Sequence, residues 1–257
     1  MITLLSPAKK LSGECCAIDY TYSQCSFLNQ SQQLVDILKN YDPIDLQELM
    51  GISENLSLLN WERYRSWSLP FDPESSRQAA FTFMGDTYVG LDSHSLSDVE
   101  LKFSQDNTRI LSGLYGILRP MDLIMPYRLE MGTKLKIESG TYIHDFWSTL
   151  VTEFLNKELK SHNNKIIINC ASLEYFNAID TETLKADIVT PVFKEIRNGQ
   201  PKVISFFAKR GRGAMARHII TNQINDIDGI ISFDLDNYSY NESLSSRYEP
   251  VFTRYSA

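Results

Sequence analysis

The run Lys165-Ile-Ile-Ile-Asn169 constrains the fold most, because a short apolar run of β-branched residues is typical of a strand buried inside a sheet. The run from Ile2 to Leu5 predicts a second strand. The dipeptide Asn198-Gly199 predicts a hairpin that joins strands over residues 189–196 and 202–208. The chain is therefore expected to contain at least one sheet with a buried core.

Helical patterns separate these strands. Apolar residues recur at helical spacing in five segments, residues 29–41, 44–49, 54–64, 97–111 and 146–159. Helices and strands are interleaved irregularly, and no repeat or linker divides the chain. We predict the α+β class: a single domain over residues 1–257, with a mixed β-sheet surrounded by helices.

Composition limits the class of protein. The chain has 257 residues, of which 43% are hydrophobic, enough for a substantial core. No stretch approaches the roughly 18 apolar residues of a membrane-spanning helix, and the first apolar run is too short for a signal peptide. We therefore expect a cytoplasmic protein without a membrane partner. No particular protein partner is indicated.

Cysteines and histidines show no metal-ligand spacing, so neither a metal nor a cofactor is expected. The adjacent pair Cys15-Cys16 is interpreted as ordinary thiols rather than a redox pair, in keeping with a reducing compartment. The other residues of these two types are scattered along the chain: Cys25, Cys170, His94, His144, His162 and His218.

Positive charge is concentrated in one segment of an otherwise acidic chain. The formal net charge is -7, yet residues 196–225 hold six basic residues and no Asp or Glu. The segment is interpreted as a strand, a glycine-bearing basic turn and the start of a helix, an arrangement that binds phosphate or other polyanions. The basic residues are Arg197, Lys202, Lys209, Arg210, Arg212 and Arg217.

Polar and basic residues follow three of the predicted strands, in segments 6–10, 169–175 and 209–217. If those strands are neighbours, their ends converge on one cleft. Arg119 and Arg128, held by proline-rich turns, would add a fourth wall, although each could instead pair with Asp122, Glu130 or a helix C-terminus. The other candidate residues of this cleft are Ser6, Lys9, Lys10, Asn169, Ser172, Glu174 and Tyr175.

A turn between two predicted helices is a further candidate site. The spacing of apolar residues around Gly51, Ile52 and Ser53 approximates the helix-hairpin-helix pattern, in which backbone N–H groups bind a DNA phosphate. Ser53 and Ser57 stand where that pattern usually has glycine and alanine. An ordinary pair of antiparallel helices is the alternative interpretation.

Several motifs in order along the chain resemble the YaaA family of peroxide-stress proteins. The longest is the segment 111–132, which includes Leu111-Ser-Gly-Leu-Tyr-Gly-Ile-Leu-Arg-Pro-Met-Asp122 and Pro126-Tyr-Arg-Leu-Glu-Met-Gly132. The others are Ser6-Pro-Ala-Lys9, Asn169 with Ala171-Ser172 and Glu174-Tyr-Phe176, and Ile204-Ser-Phe-Phe-Ala-Lys209 with Arg212-Gly213 and Met215-Ala-Arg217.

The resemblance implies a cytosolic bacterial protein that protects against hydrogen peroxide, lowers unincorporated iron and binds DNA through a positive cleft. It also implies a single mixed α/β domain with a helix-hairpin-helix element, for which residues 44–61 match best. Because the cysteines and histidines supply no iron ligands, any effect on iron is expected to be indirect.

We therefore predict a DNA-binding protein of the oxidative-stress response that contacts the backbone of duplex or branched DNA without reading its sequence. Phosphate contacts are expected from Lys9, Lys10, Arg119, Arg128, Lys209, Arg210, Arg212 and Arg217, and backbone donors from Gly51, Ile52 and Ser53. Two alternatives remain open. The cleft could be the active site of an enzyme acting on a small phosphorylated or nucleotide-like ligand, or its charges could form an internal ion network.

Overall fold

The computed structural model describes residues 1–13, 17–137 and 140–255, so Cys15 and Cys16 lie outside the described residues. The described residues contain ten α-helices, many of them amphipathic, connected mainly by short loops. The helices are α1 (Leu28–Leu38), α2 (Pro43–Met50), α3 (Glu54–Ser66), α4 (Ala79–Thr82), α5 (Asp86–Leu91), α6 (Asp98–Asn107), α7 (Ile143–Leu159), α8 (Leu173–Phe176), α9 (Ser205–Thr221) and α10 (Ile227–Ile231).

The strands are short and lie in four sheets. They are β1 (Ile2–Leu5), β2 (Lys10–Leu11), β3 (Arg77–Gln78), β4 (Phe83–Met84), β5 (Thr108–Ser112), β6 (Gly116–Leu118), β7 (Leu123–Ile124), β8 (Ile166–Cys170), β9 (Asp187–Val189), β10 (Val192–Arg197), β11 (Gln200–Lys202), β12 (Ser239–Tyr240) and β13 (Val251–Tyr255). None of the helices among the described residues has the length and apolar character needed to cross a membrane.

The largest sheet has five strands in the order β6-β5-β1-β8-β9. Strands β5, β1, β8 and β9 are parallel, and β6 is antiparallel to β5. All four residues of β1 are buried, as expected for a central parallel strand with both faces covered. The α+β class with a mixed sheet and surrounding helices, predicted from the sequence, is confirmed.

A second mixed sheet has the order β11-β10-β13-β12. Strands β10 and β11 are joined at Asn198 and Gly199, both of which have positive φ angles, as a two-residue turn of the primed type requires. The predicted hairpin at this position is therefore confirmed. Its second strand is only three residues long, so the strand predicted over residues 202–208 is wrong.

Most of that predicted strand is the start of α9, which begins at Ser205 and continues to Thr221. The basic segment 209–213 therefore lies inside a helix and forms no turn. Gly213 permits a close crossing with α5, since a Cβ atom there would lie 1.7 Å from the carbonyl oxygen of Thr87, and Gly211 leaves room for the Phe193 ring of β10. The strand, basic turn and helix start inferred from the sequence are thus incorrect, because these glycines serve helix packing rather than a turn.

The helix predicted over residues 97–111 is also partly wrong. Helix α6 begins after Ser97, whose side chain accepts a hydrogen bond from the Glu100 backbone N–H while Glu100 accepts one from Ser97 in return. It ends at Asn107, and the chain passes directly into β5. Ile110 and Leu111 therefore belong to a buried strand next to β1.

Candidate functional site

The carboxyl ends of β1 and β8 meet at one edge of the large sheet. The two strands are parallel, and Leu5 pairs with Cys170. Immediately beyond them, the Ser172 backbone N–H donates to the Ser6 Oγ over 2.8 Å, and the two hydroxyl oxygens lie 3.3 Å apart. The predicted convergence of these two strand ends is confirmed.

Asn169 is part of the framework of this edge. Its side-chain carbonyl accepts a hydrogen bond from the Ala171 backbone N–H at 3.1 Å, and its amide nitrogen lies 3.4 Å from the Thr190 hydroxyl. The residue is buried. These bonds join the end of β8 to the segment after β9, which indicates a positioning role.

Lys9 and Arg128 share one carboxylate, that of Glu130. The Lys9 Nζ lies 2.7 Å from Glu130 Oε2, and an Arg128 terminal nitrogen lies 3.0 Å from Glu130 Oε1. The Lys9 side chain is 62% exposed, whereas that of Arg128 is 15% exposed. Arg128 also has a buried Nε without a hydrogen-bond partner. The alternative that Arg128 pairs with Glu130 is correct, and the same carboxylate holds Lys9.

Helix α3 holds the backbone of Arg128. The hydroxyl of Tyr64, a buried residue near the end of that helix, donates to the Arg128 carbonyl oxygen. Burial raises the pKa of Tyr64 far above its ordinary value, so the hydroxyl keeps its proton at physiological pH. The contact links the helical hairpin to the Arg128 segment, and nothing in the sequence indicated it.

Glu174 and Tyr175 line the other side of the sheet edge. A carboxylate oxygen of Glu174 accepts a hydrogen bond from the Gly132 backbone N–H at 3.3 Å. Tyr175 is buried, and burial raises the pKa of its hydroxyl well above the ordinary value. The Tyr175 hydroxyl therefore keeps its proton at physiological pH.

The cavity between Lys9, Arg128, Glu130 and Tyr175 has a volume of about 10 Å³. That is space for about one water molecule, whereas sites for drug-sized ligands are about 300–1,000 Å³. The cavity among these four residues is therefore too small for such a ligand.

Helix α9 brings Arg212 to the same region, and Lys209 lies about one helical turn before it. Arg212 is half-buried and lies close enough to Cys170, at the end of β8, for its charge to act on the thiol. Burial raises the pKa of Cys170 to about 12, and the Arg212 charge opposes that shift. Lys209 is exposed. Neither cation forms an ion pair with any residue that the structure describes.

The other two candidate arginines of α9 are neutralised. Arg210 forms an ion pair with Asp236, at 2.7 Å from Nε to Oδ2, and a hydrogen bond of 3.1 Å to the other carboxylate oxygen. Arg217 donates to the carbonyl oxygens of Leu91 and Asp92 and lies 3.6 Å from the Asp92 carboxylate. The interpretation as an internal ion network therefore holds for these two residues.

Arg119 lies at the opposite end of the sheet. It follows β6, and the pairing of Ile110 with Leu118 puts it beside the start of β5. Its guanidinium pairs with Asp122 at 3.2 Å and lines a groove with Arg109 and His162. The expectation that Arg119 and Arg128 form one wall is wrong, because β6 runs antiparallel to β5 and so leaves Arg119 at the end of the sheet opposite the carboxyl ends of β1 and β8.

Lys10 is exposed at the edge of a small ladder, where β2 pairs with β4 and Lys10 lies opposite Met84. Its neighbour Lys9 is the one that reaches Glu130. Of the two adjacent lysines, the structure thus brings only Lys9 into contact with the sheet-edge residues.

The turn at Gly51 joins α2 and α3, as the sequence predicted. Gly51 has φ 59°, a left-handed conformation that glycine adopts without strain, and ends α2. The backbone N–H groups of Gly51 and Ile52 both donate to the carbonyl oxygen of Gln47. Two of the three expected phosphate donors are therefore already engaged, which corrects the prediction for them. Ser53 precedes α3 without a side-chain capping bond.

The described residues contain no group of three or more His, Cys, Asp or Glu placed to hold a metal ion. Cys25 and Cys170 are free thiols, and burial raises the pKa of both. These two cysteines consequently lack the thiolate character that reaction with peroxide requires.

Comparison with known proteins places this architecture in a family. The family model described as peroxide stress protein YaaA matches residues 1–244. The chain is 48% identical over 254 residues to a UPF0246 protein of Shewanella sp. (strain W3-18-1), covering 99% of both chains. It is 45% identical to a UPF0246 protein of Aliivibrio fischeri (strain MJ11), covering 99% of this chain and 98% of the relative. The chain therefore belongs to the YaaA family of peroxide stress proteins.

Proposed function

We propose that this protein acts during peroxide stress as a cytoplasmic DNA-binding protein that contacts the backbone without reading base sequence, and that it thereby limits iron-dependent oxidative damage. The observation that carries the proposal is the pair Lys209 and Arg212. Both cations lie on α9, Arg212 beside the carboxyl edge of the large sheet and Lys209 about one helical turn before it, and neither pairs with a carboxylate among the described residues. Unpaired cations on an acidic protein form a local attraction for phosphate.

Lys9 and Arg128 extend this positive surface. Their shared partner Glu130 is partly exposed, so a phosphate group can compete for the two cations. The surface that we propose then contains four cations, Lys9, Arg128, Lys209 and Arg212, and two carboxylates, those of Glu130 and Glu174. Together the four cations are the phosphate-binding residues that we propose.

The hairpin of α2 and α3 provides a second contact along the same DNA. Tyr64 ties α3 to Arg128, and Ser53 lies at the other end of that helix. At a rise of 1.5 Å per residue, their separation of eleven positions spans about 16 Å, within the reach of one duplex. Because Gly51 and Ile52 use their N–H groups internally, the donors that we propose are Ser53 and the uncapped first turn of α3.

Binding to DNA would act on oxidative damage by covering the backbone where iron and peroxide react. We propose an indirect effect on iron, because the described His, Cys, Asp and Glu residues form no ligand group. The name of the matching family supports the stress context. DNA as the partner is inferred from the charges of the site.

A salt-titrated binding assay tests the proposal with labelled duplex, four-way junction and single-stranded DNA. Phosphate contacts predict an affinity that falls steeply between about 50 and 200 mM salt. Unrelated duplex sequences should bind equally. Affinity that hardly changes with salt, or binding restricted to one duplex sequence, would rule out a backbone site of this kind.

A further inference from the structure

An exposed phenyl ring stands beside the cations of α9. The Phe206 side chain is 52% exposed, although burying a phenylalanine typically contributes about 1.5–3 kcal/mol. Lys209 follows Phe206 by three residues and Arg212 follows Lys209 by three, so the cations lead from the ring towards the end of β8.

The Phe206 ring contacts a second aromatic ring, that of Phe207. Phe206 packs edge-on against Phe207, with ring centres 5.3 Å apart and planes at 73°. The Arg254 guanidinium lies 4.6 Å from the Phe207 ring centre and is held by Glu195 at 2.5 Å. Glu195 is buried. This arrangement fixes Phe207 and so gives Phe206 a rigid support.

Two more cations lie on the hairpin that leads into α9. Lys202 is the last residue of β11 and lies opposite Glu195 in the strand register. Arg197 is the last residue of β10 and lies opposite Gln200. Both are exposed, and neither forms an ion pair within the described ranges. Since residues 196–225 contain no Asp or Glu, the ring stands between cations on both sides along the chain, Lys202 before it and Lys209 after it.

A rigid aromatic ring between unpaired cations matches the chemistry of an unpaired nucleotide. The base can stack on the ring while the phosphates on either side of it meet the lysines, which is how proteins bind single strands without sequence preference. A base-paired duplex keeps the faces of its bases stacked inside, so it offers this ring a free base face only where two base pairs are unstacked.

We propose that Phe206 is a stacking platform for an unpaired nucleotide, flanked by Lys202 and Lys209 as phosphate contacts. This inference rests on the proposed DNA binding and makes it more specific: the DNA that fits this surface contains a single-stranded or melted segment. The ring and the lysines have separate measurable consequences, since one supplies stacking and the others supply charge.

The test compares fluorescence anisotropy of a labelled oligothymidine and a labelled duplex of the same length. Phe206→Ala should weaken oligothymidine binding by about tenfold, the usual effect of losing one stacked base, and change duplex binding less than twofold. The salt dependence should stay as in the wild type because no charge is removed. Phe206→Trp should restore binding and show quenched tryptophan fluorescence in the complex.

Tyr22→Ala is the matched control. Tyr22 is 51% exposed and lines a groove with Asp98, Met121 and Gln105, the last of which also borders the Arg119 groove at the far end of the sheet. The Tyr22→Ala variant should bind oligothymidine and the duplex with the same affinities as the wild type. Circular dichroism checks that each variant is folded.

The outcomes separate the two proposals. Wild-type protein that binds duplex but not oligothymidine overturns the stacking site alone, as does Phe206→Ala with unchanged affinity for oligothymidine. An equal loss for both ligands also overturns it, because the ring would then serve the site generally. Wild-type protein that binds neither ligand overturns the DNA-binding function and the stacking site together.

Discussion

The hydroxyl of Tyr64 donates a hydrogen bond to the carbonyl oxygen of Arg128. One residue belongs to the helical hairpin, and the other carries a cation at the carboxyl edge of the central sheet. The bond is buried on the Tyr64 side, so it fixes the distance between the two parts of the site. In this way α3 positions a charge that is distant from it in sequence.

We expect Tyr64→Phe to lower the free energy of unfolding by about 1–2 kcal/mol, because the Arg128 carbonyl loses its partner while the ring still fills its space. Denaturant unfolding measures the change. Tyr22→Phe, at an exposed tyrosine, should have no measurable effect. Equal stability of Tyr64→Phe and the wild type would show that this bond does not anchor the Arg128 segment.

Gly213→Ala should destabilise the protein by about 3 kcal/mol or more, since the added Cβ would lie 1.7 Å from the backbone oxygen of Thr87 and force α5 and α9 apart. Gly13→Ala is the matched control, because a Cβ there meets no described residue within 4 Å and its φ is not positive. Thermal unfolding distinguishes the two. Similar melting temperatures would contradict the close helix crossing.

Two glycines of α9 show where sequence patterns no longer predict the local structure. Gly211 and Gly213 suggested a turn because glycine often marks one, yet both lie in a helix, where Gly211 faces the Phe193 ring of β10 and Gly213 faces the backbone of α5. Helix α6 has no turn residue before β5, so the apolar residues Ile110 and Leu111 extended the apparent helix. Both errors come from packing partners that are distant in sequence.

The sequence predicted the parts of the candidate site that depend on strand ends or on residues close together in the chain. Strands β1 and β8 are apolar runs bounded by polar residues, and parallel strands bring their ends together, so the meeting of Ser6 and Ser172 followed. The pairing of Arg128 with Glu130 also followed from proximity in sequence. The position of Arg119 could not be predicted from the sequence, because it depends on the register of β6 against β5.

Glu130→Gln should strengthen DNA binding and steepen its salt dependence, because removing the bridging carboxylate frees Lys9 and Arg128 for phosphate. Anisotropy titrations at several salt concentrations measure both effects. Glu153→Gln, an identical charge change at an exposed position of α7, controls for the altered net charge. Weaker binding by Glu130→Gln would mean that this carboxylate positions the cations instead of competing for them.

Stability should fall as the pH drops below about 6.5. Burial lowers the pKa of His218 below its ordinary value of 6.5, and the neighbouring Asp234 only partly opposes this. The unfolded chain therefore takes up the proton first, which removes up to about 1.4 kcal/mol of stability per pH unit until the folded protein also binds it.

His218→Gln should flatten the stability profile between pH 7 and the folded pKa, measured by denaturant unfolding. Burial also lowers the pKa of His162, so part of the slope should persist; an unchanged slope would contradict the assignment to His218.

The central claim is that Lys209 and Arg212 contact DNA phosphates, and the salt dependence of duplex binding by a Lys209→Ala/Arg212→Ala variant tests it most directly. Losing two phosphate contacts should reduce the slope of log affinity against log salt by about 2, equally for unrelated sequences. Lys102→Ala/Lys160→Ala removes the same charge at two other exposed lysines and should leave the slope nearly as it is in the wild type. A Lys209→Ala/Arg212→Ala variant that is folded and keeps the full wild-type slope would contradict the account.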